Sequence, residues 1–278
     1  MSDGAPLAGR SLAQVLAQSP LDMLETRILL GHVLGLSRVQ LITRADQVLD
    51  ADQGTRLQAL FERRLAGEPI AYLTGEREFY GLDFRVTPAV LIPRPDTELL
   101  VELACARLPQ GGSVLDMGTG SGAIAIAIAH ARPDAQVCAL DASAAALEVA
   151  RFNAGRHRVQ VEFVQSDWYA GLAPQCYSMI VANPPYIVAG DSHLSEGDLR
   201  FEPVDALTDH ADGLSALRAI VHGAPDFLAE GGWLLMEHGY DQAAAVRELL
   251  QGWDGVESWR DLAGIERVSG AIRRFRRV

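Results

Sequence analysis

The stretch Val114-Leu115-Asp116-Met117-Gly118-Thr119-Gly120-Ser121-Gly122 decides the fold of this 278-residue chain. Apolar residues that end in an acid predict a strand, and three glycines at alternate positions predict a tight turn whose backbone a ligand can approach closely. The spacing G-x-G-x-G differs from the dinucleotide pattern G-x-G-x-x-G, so a pyrophosphate is not the expected ligand. The apolar run 123–129 that follows is predicted to be a buried helix, because a crossover between parallel strands needs a helix here.

Extended and helical segments alternate on both sides of this turn. Strands are predicted at 113–116, 135–140, 159–164, 178–182 and 232–236, with helices at 96–108, 123–129 and 142–153 and on each side of the last strand. This order predicts an α/β fold with a mainly parallel sheet and helices on both of its faces. Two extended runs between 256 and 276 predict an antiparallel pair at the sheet edge.

The chain before this region has a different pattern. Residues 1–75 are predicted to form a small helical bundle, residues 76–92 a β-hairpin connector, and residues 93–278 the α/β domain. Spacing along the bundle helices predicts a set of inward side chains. They are Met23, Leu24, Ile28, Leu29 and Val33 in one helix and Leu57, Leu60, Phe61 and Leu65 in another.

Composition excludes several classes of function. All 24 basic residues are arginines, so Schiff-base catalysis and the lysine-containing phosphate loop are excluded. A net charge of −12 argues against broad, non-specific DNA binding, although a local basic patch could still contact a specific nucleic-acid or ribosomal partner. We expect a cytoplasmic protein without membrane contact, because no signal peptide or long apolar run is present. We also expect a monomer. The histidines and the three cysteines lack metal-ligand spacing, so no metal is expected, and Cys105, Cys138 and Cys176 are expected to be buried.

Acidic residues also end the next two predicted strands. Asp141 lies 19 residues after Gly122, which suits an acid that reaches ribose hydroxyls. Its alternative role is to cap the following helix, and the two roles are compatible. Asp167 and Trp168 can hold an adenine by hydrogen bonding and stacking. These strand ends predict a pocket for an adenosine without a diphosphate, and S-adenosylmethionine fits best. The candidate cofactor-binding residues are Asp116, Gly118, Thr119, Gly120, Ser121, Gly122, Asp141, Asp167, Trp168 and Asn183.

The tetrapeptide Asn183-Pro184-Pro185-Tyr186 follows the fourth strand and carries the candidate catalytic residues. Two prolines remove two N–H donors and leave carbonyl acceptors. The side-chain carbonyl of Asn183 and the backbone carbonyl of Pro184 can accept both hydrogens of a planar NH₂ group, and Tyr186 offers an aromatic face. The nitrogen lone pair could then point at a sulfonium methyl group, so positioning should matter more than a strong base. A purely structural turn is the alternative.

These motifs resemble class I S-adenosylmethionine-dependent methyltransferases that act on exocyclic or amide nitrogen. The stretches 69–75, 78–81 and 91–98 are similar to the release factor glutamine methyltransferase family. The resemblance implies a Rossmann-like sheet and N5-methylation of the glutamine in the Gly-Gly-Gln motif of bacterial peptide chain release factors. It also implies that residues 1–75 bind the substrate, and that the segment from Asn183 to Tyr186 grips the glutamine amide.

Other substrates remain open at this point. A ribosomal-protein glutamine would suit the same site, and a DNA adenine-N6 methyltransferase would share its chemistry. Residues 76–278 hold 17 arginines against 28 acids, which disfavours direct DNA contact. A cofactor-binding assembly factor without catalysis is disfavoured by the intact Asn183.

Three further segments carry weaker signals. Arg94 and Glu98 are expected to pair with each other at a helix start. The segment 202–213 is expected either to form a loop over the cleft or to serve as scaffold. The arginine cluster 273–277 is expected to be a solvated terminal strand, or to contact an acidic partner.

Overall fold

The computed structural model describes residues 7–275. By its internal contacts the chain divides into two compact units, Met1–Gly75 and Glu76–Val278. In the arginine cluster, Arg276 and Arg277 lie outside the described residues.

The first unit is helical, as predicted. Its helices are α1 (Leu12–Gln18), α2 (Met23–Leu34), α3 (Arg38–Thr43), α4 (Ala51–Leu65) and α5 (Ile70–Thr74). Ser11, Ser37 and Asp50 begin α1, α3 and α4, and each exchanges two hydrogen bonds with a glutamine three residues later. These reciprocal caps satisfy N–H groups that a helix start otherwise leaves unpaired. The short helices therefore have well-defined beginnings.

The predicted inward face of α2 was partly wrong. Met23, Leu24 and Ile28 are exposed, as is Leu65 at the end of α4. The buried face of α2 is instead carried by Thr26, together with Leu29, Leu30 and Val33. Thr26 can be buried because its hydroxyl donates to the Asp22 carbonyl at 2.7 Å. A polar residue with a local acceptor therefore takes a core position that apolar spacing alone assigned to its neighbours.

The second unit begins with the predicted hairpin. Strands β1 (Glu76–Phe79) and β2 (Leu82–Arg85) pair antiparallel across Tyr80 and Gly81, whose φ angles of 52° and 75° are both positive. That turn geometry matches the twist of a two-residue hairpin. Phe79 and Phe84 belong to the main core of this unit. The hairpin is therefore packed into the larger unit by its aromatic side chains.

A seven-stranded sheet forms the centre of the second unit, and the predicted α/β fold is confirmed. Its strands are β3 (Ser113–Met117), β4 (Gln136–Asp141), β5 (Glu162–Gln165), β6 (Tyr177–Ala182), β7 (Leu228–Glu237), β8 (Asp254–Arg260) and β9 (Glu266–Ile272). Their order is β5-β4-β3-β6-β7-β9-β8, parallel from β5 to β7. The last two strands form the predicted antiparallel pair, with β9 between β7 and β8. Strand β5 starts at Glu162, later than the predicted 159.

Helices cover both faces of this sheet. Helices α6 (Glu98–Arg107), α7 (Ala123–Ala131) and α8 (Ala144–His157) follow the hairpin, and α9 (Ser215–Phe227) and α10 (Ala243–Leu249) flank β7. Alternate strand residues pack against α6 and α7 on one face and against α9 and α10 on the other. The run 123–129 is fully buried and helical, as predicted.

Burial of the cysteines was predicted incorrectly in one case. Cys138 is buried in β4 and Cys105 is half-buried, but Cys176 is exposed just before β6. None of the helices between residues 7 and 275 combines the length and apolar character that crossing a membrane requires.

Candidate active site

The glycine turn joins the carboxyl end of β3 to α7. Gly118, Gly120 and Gly122 have φ angles of 73°, 54° and 85°, which favour glycine because other residues are strained there. A Cβ built on Gly118 or Gly120 would meet no atom within 4 Å, whereas one on Gly122 would lie 2.7 Å from Ile126 Cδ1. The first two glycines therefore border open space, and the third leaves room for Ile126 in the same helix and for Ala150.

Asp116 holds this turn in shape. Its Oδ2 accepts hydrogen bonds from the Thr119 hydroxyl at 2.6 Å and the Ala125 backbone N–H at 3.2 Å. Among the described residues its other oxygen, Oδ1, has no hydrogen-bond partner. Burial raises the pKa of this carboxyl to about 7, against the opposing effect of those hydrogen bonds. Asp116 thus ties the strand end to the start of the helix.

Asp141 faces the glycine turn from the end of β4. Its Oδ2 accepts from the Gly120 N–H and its Oδ1 from the Ser143 N–H, both at 2.9 Å. Burial raises the pKa of Asp141, while these two bonds lower it. The predicted alternative role was wrong, because Ser143 caps α8 by accepting from the Ala146 N–H. Each carboxylate oxygen of Asp141 still has acceptor capacity for a ligand.

A third strand end brings Asp167 and Trp168 to the same edge. Trp168 has a φ of 46°, which a tryptophan rarely adopts. The Ser166 hydroxyl donates to the Trp168 carbonyl at 2.6 Å and accepts from the Gly171 N–H at 2.8 Å. These bonds hold Trp168 in its strained backbone conformation.

These strand ends border one cavity of about 410 Å³. Six predicted cofactor residues line it, namely Gly118, Gly120, Asp141, Asp167, Trp168 and Asn183. Asp116, Thr119, Ser121 and Gly122 lie outside this lining and shape the turn from behind. The remaining walls come from 89–91, Leu140, Ala142, Ser143, Ala146, Ser166, Pro185, Pro203, Asp205 and Ala206.

Asn183 lines the cavity directly after β6. Its Nδ2 donates a hydrogen bond to the Thr97 hydroxyl at 3.2 Å. The carbonyl end, Oδ1, is therefore the end left to accept from a substrate. At the other end of the tetrapeptide, the Tyr186 carbonyl accepts from Gln242 Nε2 at 3.0 Å. Both ends of the tetrapeptide are held by side chains from other elements.

Sequence reasoning missed the three residues that support this tetrapeptide. Thr97 and Glu237 are buried, and Gln242 lies between β7 and α10. Burial raises the pKa of the Glu237 carboxyl to about 7, and burial also raises the pKa of the Tyr186 hydroxyl. One signal was available, since Glu237 ends a parallel strand as Asp141 does. Thr97 and Gln242 carry no comparable signal in the sequence.

The expected pairing of Arg94 with Glu98 was wrong. Arg94 forms an ion pair with the buried carboxylate of Glu202, which also accepts from the Ile92 N–H at 3.0 Å. Glu98 instead accepts from the Tyr80 N–H at 3.0 Å. The ion pair ties the segment before α6 to the loop after the tetrapeptide, and that loop lines the cavity.

Two family models match the chain. One described as Methyltransferase small domain matches residues 95–197, and one described as PrmC N-terminal domain matches residues 8–75. The chain is 60% identical over 269 residues to a release factor glutamine methyltransferase of Burkholderia pseudomallei (strain K96243), covering 93% of this chain and 94% of that protein. This chain belongs to the release factor glutamine methyltransferase family.

Further similarity agrees with membership of the release factor glutamine methyltransferase family. The protein of the same name from Neisseria gonorrhoeae (strain ATCC 700825 / FA 1090) is 54% identical over 258 residues, covering 91% of this chain and 94% of its own. A methyltransferase structure from Pyrococcus furiosus superimposes with a TM-score of 0.54 at 19% identity, covering 77% of this chain and 98% of that one. That likeness supports the methyltransferase fold. Among residues 7–275, no group of three or more histidine, cysteine or acidic side chains could hold a metal ion.

Proposed function

We propose that this chain transfers the methyl group of S-adenosylmethionine to the side-chain nitrogen N5 of the glutamine in the Gly-Gly-Gln motif of peptide chain release factors. The observation that carries the proposal is the orientation of Asn183 in the cavity wall. Its donor end is already bonded to Thr97, so its acceptor end is available to an NH₂ group. Membership of the family supports the choice of a release factor as substrate.

The cavity suits an adenosine-containing cofactor. Gly118 and Gly120 leave open space where any side chain would intrude, and Asp141 offers two carboxylate oxygens beside it. In this proposal Asp141 accepts from the ribose hydroxyls, and Asp167 and Trp168 hold the adenine. When bound, S-adenosylmethionine would supply an electrophilic methyl group and leave as S-adenosylhomocysteine, and the methylated amide nitrogen would release one of its protons to solvent. No metal takes part in this proposal.

The chain itself has to orient a weak nucleophile. The lone pair of a glutamine amide is delocalised, so the nitrogen must be held by its hydrogens. The Asn183 side-chain carbonyl and the Pro184 backbone carbonyl accept one hydrogen each, while Tyr186 packs against the planar group. Fixed acceptors of this kind stabilise the positive charge that develops on the nitrogen without reorganising.

The same proposal extends to partner and place of action. The chain acts as a monomer in the cytoplasm, and residues 1–75 bind the protein substrate. The excess of acidic residues over arginines in 76–278 disfavours direct binding of DNA.

A transfer assay tests the function. The purified chain is incubated with radiolabelled S-adenosylmethionine and a bacterial release factor, and label is expected in the factor. A factor whose acceptor glutamine is changed to leucine should stay unlabelled, while a factor changed at another exposed glutamine should be labelled normally. Label in duplex DNA or in a ribosomal protein, with none in the release factor, would overturn the proposal.

A further inference from the structure

Glu237 is a buried carboxyl group that the methyl transfer described above does not use. It ends β7 with 2% of its surface exposed, and its Oε2 has no hydrogen-bond partner among the described residues. Glu237 directly follows Met236, which pairs with Ala182 in the parallel β6–β7 ladder, so Glu237 and Asn183 leave the sheet side by side. Burial raises the pKa of this carboxyl group, and hydrogen bonding to the hydroxyls of Thr97 and Tyr186 lowers it. A carboxyl group that is buried without a full set of partners costs stability, so its retention calls for a role.

Hydrogen bonding around Thr97 has a direction. The hydroxyl of Thr97 accepts from Asn183 Nδ2, so its own single proton must go to another acceptor. The Glu237 carboxylate is the acceptor beside it. Asn183 therefore donates to Thr97, and Thr97 donates to Glu237. If one of these two hydrogen bonds reverses its direction, the other must reverse as well.

We propose that Glu237 is a positioning residue that, through Thr97, keeps the carbonyl end of the Asn183 carboxamide facing the cavity. An asparagine turned by 180° would present its NH₂ group to the NH₂ group of the substrate, and two donors cannot bond to each other. The inference rests on the proposed function, since it concerns how the same site receives a glutamine amide. Tyr186 shares the arrangement, because its hydroxyl is also directed at Glu237.

Protonation of Glu237 provides a way to test this direction. A protonated carboxyl group donates to Thr97, Thr97 can then donate to Asn183, and the carboxamide turns. Two charged groups face Glu237: Asp96, before α6, raises its pKa, and Arg267, on β9, lowers it. Arg94 and Arg267 also act on Tyr186, while the neighbouring His238 is engaged with Ser269 at 2.8 Å.

Three variants separate this role from simple packing. Glu237→Leu and Thr97→Val both break the chain, and each is expected to lower kcat for the release factor by about 10- to 100-fold while the Kd of S-adenosylmethionine stays unchanged. The double variant should be no slower than the slower single variant. Glu237→Gln keeps an acceptor for Thr97 and a donor for Tyr186, so its kcat should recover most of the loss. Because protonated Glu237 would turn the carboxamide, the wild-type kcat should fall as the pH drops through about 7 (its acid limb), and this limb should be absent in Glu237→Gln.

A matched control removes a carboxylate elsewhere in the same sheet. Glu266→Gln breaks the pairing of that residue with Arg247 on α10 and is expected to leave kcat and its pH profile unchanged. If Glu237→Leu does not fold, Thr97→Val and Glu237→Gln carry the test, since both closely match the natural side chains in size.

The outcomes distinguish this inference from the proposed function. An active wild type whose Thr97→Val variant keeps full kcat would overturn the inference, as would losses that multiply in the double variant. An unchanged acid limb in Glu237→Gln would overturn it too. A wild type that transfers no methyl group to the release factor would instead overturn the proposed function.

Discussion

Asn183 has a donor end and an acceptor end in one side chain, and Thr97 occupies the donor end. In the proposed function, that contact leaves the carbonyl end of Asn183 as the acceptor for the substrate. The adjoining prolines add carbonyls without adding N–H groups. The hydrogen-bonding atoms that remain free therefore determine which substrate groups the site can hold.

Asn183→Ala is expected to lower kcat by about 10²- to 10³-fold, because it removes a fixed acceptor from the developing charge. Steady-state kinetics with a release factor would measure this, and circular dichroism would check the fold. Gln251→Ala, at an exposed position after α10, is the control and should keep full activity. Near-normal turnover by Asn183→Ala would mean that another group holds the amide.

Asp141→Ala is expected to weaken binding of S-adenosylmethionine by about 1–3 kcal/mol, the usual loss for hydrogen bonds to a charged group. Part of that loss would come from the Gly120 N–H, which Asp141 also holds in place. Isothermal titration calorimetry gives the Kd directly. Asp83→Asn, on the exposed turn side of β2, is the control. Unchanged affinity in Asp141→Ala would contradict the ribose role.

At the scale of elements, the strand-turn-helix unit around 114–122 could be predicted because its signals are local. Each of its signals favours one local structure for a physical reason. These signals are the glycines at alternate positions, the acid at the strand end and the apolar run. The inward face of α2 could not be predicted, since the hydroxyl of the buried Thr26 finds its acceptors in Asp22, one turn away, and in Ser19. The partner of Arg94 was equally hidden, because Glu202 is 108 residues away along the chain.

The ion pair between Arg94 and Glu202 should control how firmly the loop after the tetrapeptide is held. Breaking a buried ion pair typically costs about 3–5 kcal/mol. We expect a smaller loss for this pair, because Arg94 is partly exposed. Arg94→Ala should speed tryptic cleavage after Arg200 by about tenfold, since cleavage follows the population of the opened loop. Arg200 is the single arginine between 159 and 217, so the product is unambiguous.

Arg156→Ala serves as the control for that digestion, because it removes an ion pair with Glu76 on the hairpin. Its cleavage rate after Arg200 should equal that of the wild type. Equal rates for Arg94→Ala as well would show that the loop is held by other contacts.

At the scale of the whole molecule, buried acids make stability depend on pH. The folded state raises the pKa of Glu237 from 4.5 to about 7, so its contribution to stability is complete below 4.5 and is lost as the pH rises through 7. Over that window the wild type should lose about 3 kcal/mol relative to Glu237→Gln. Urea unfolding without cofactor at a series of pH values would measure the difference. A difference that does not vary with pH would contradict the burial of a titrating carboxyl group.

The general architecture was accessible from the sequence because alternating elements constrain topology strongly. The composition agrees with the proposed site rather than with the architecture, since a chain without lysine and with net charge −12 suits a site made of hydrogen-bond acceptors and glycines. What the sequence does not reveal is the support behind the tetrapeptide. Thr97, Glu237 and Gln242 come from three separate places and meet only when the sheet is assembled.

The position of β9 has a consequence for hydrogen exchange. Strand β8 pairs only with β9 in the described sheet, so any opening of β9 also releases β8, and the amides of β8 should never be better protected than those of β9. Strand β9 also pairs with β7, and Glu237 pairs with Val268 at the end of that β7–β9 ladder. A fluctuation that frees β9 therefore also loosens the strand end that carries Glu237, so exchange at the sheet edge and loss of catalytic alignment would share one opening event.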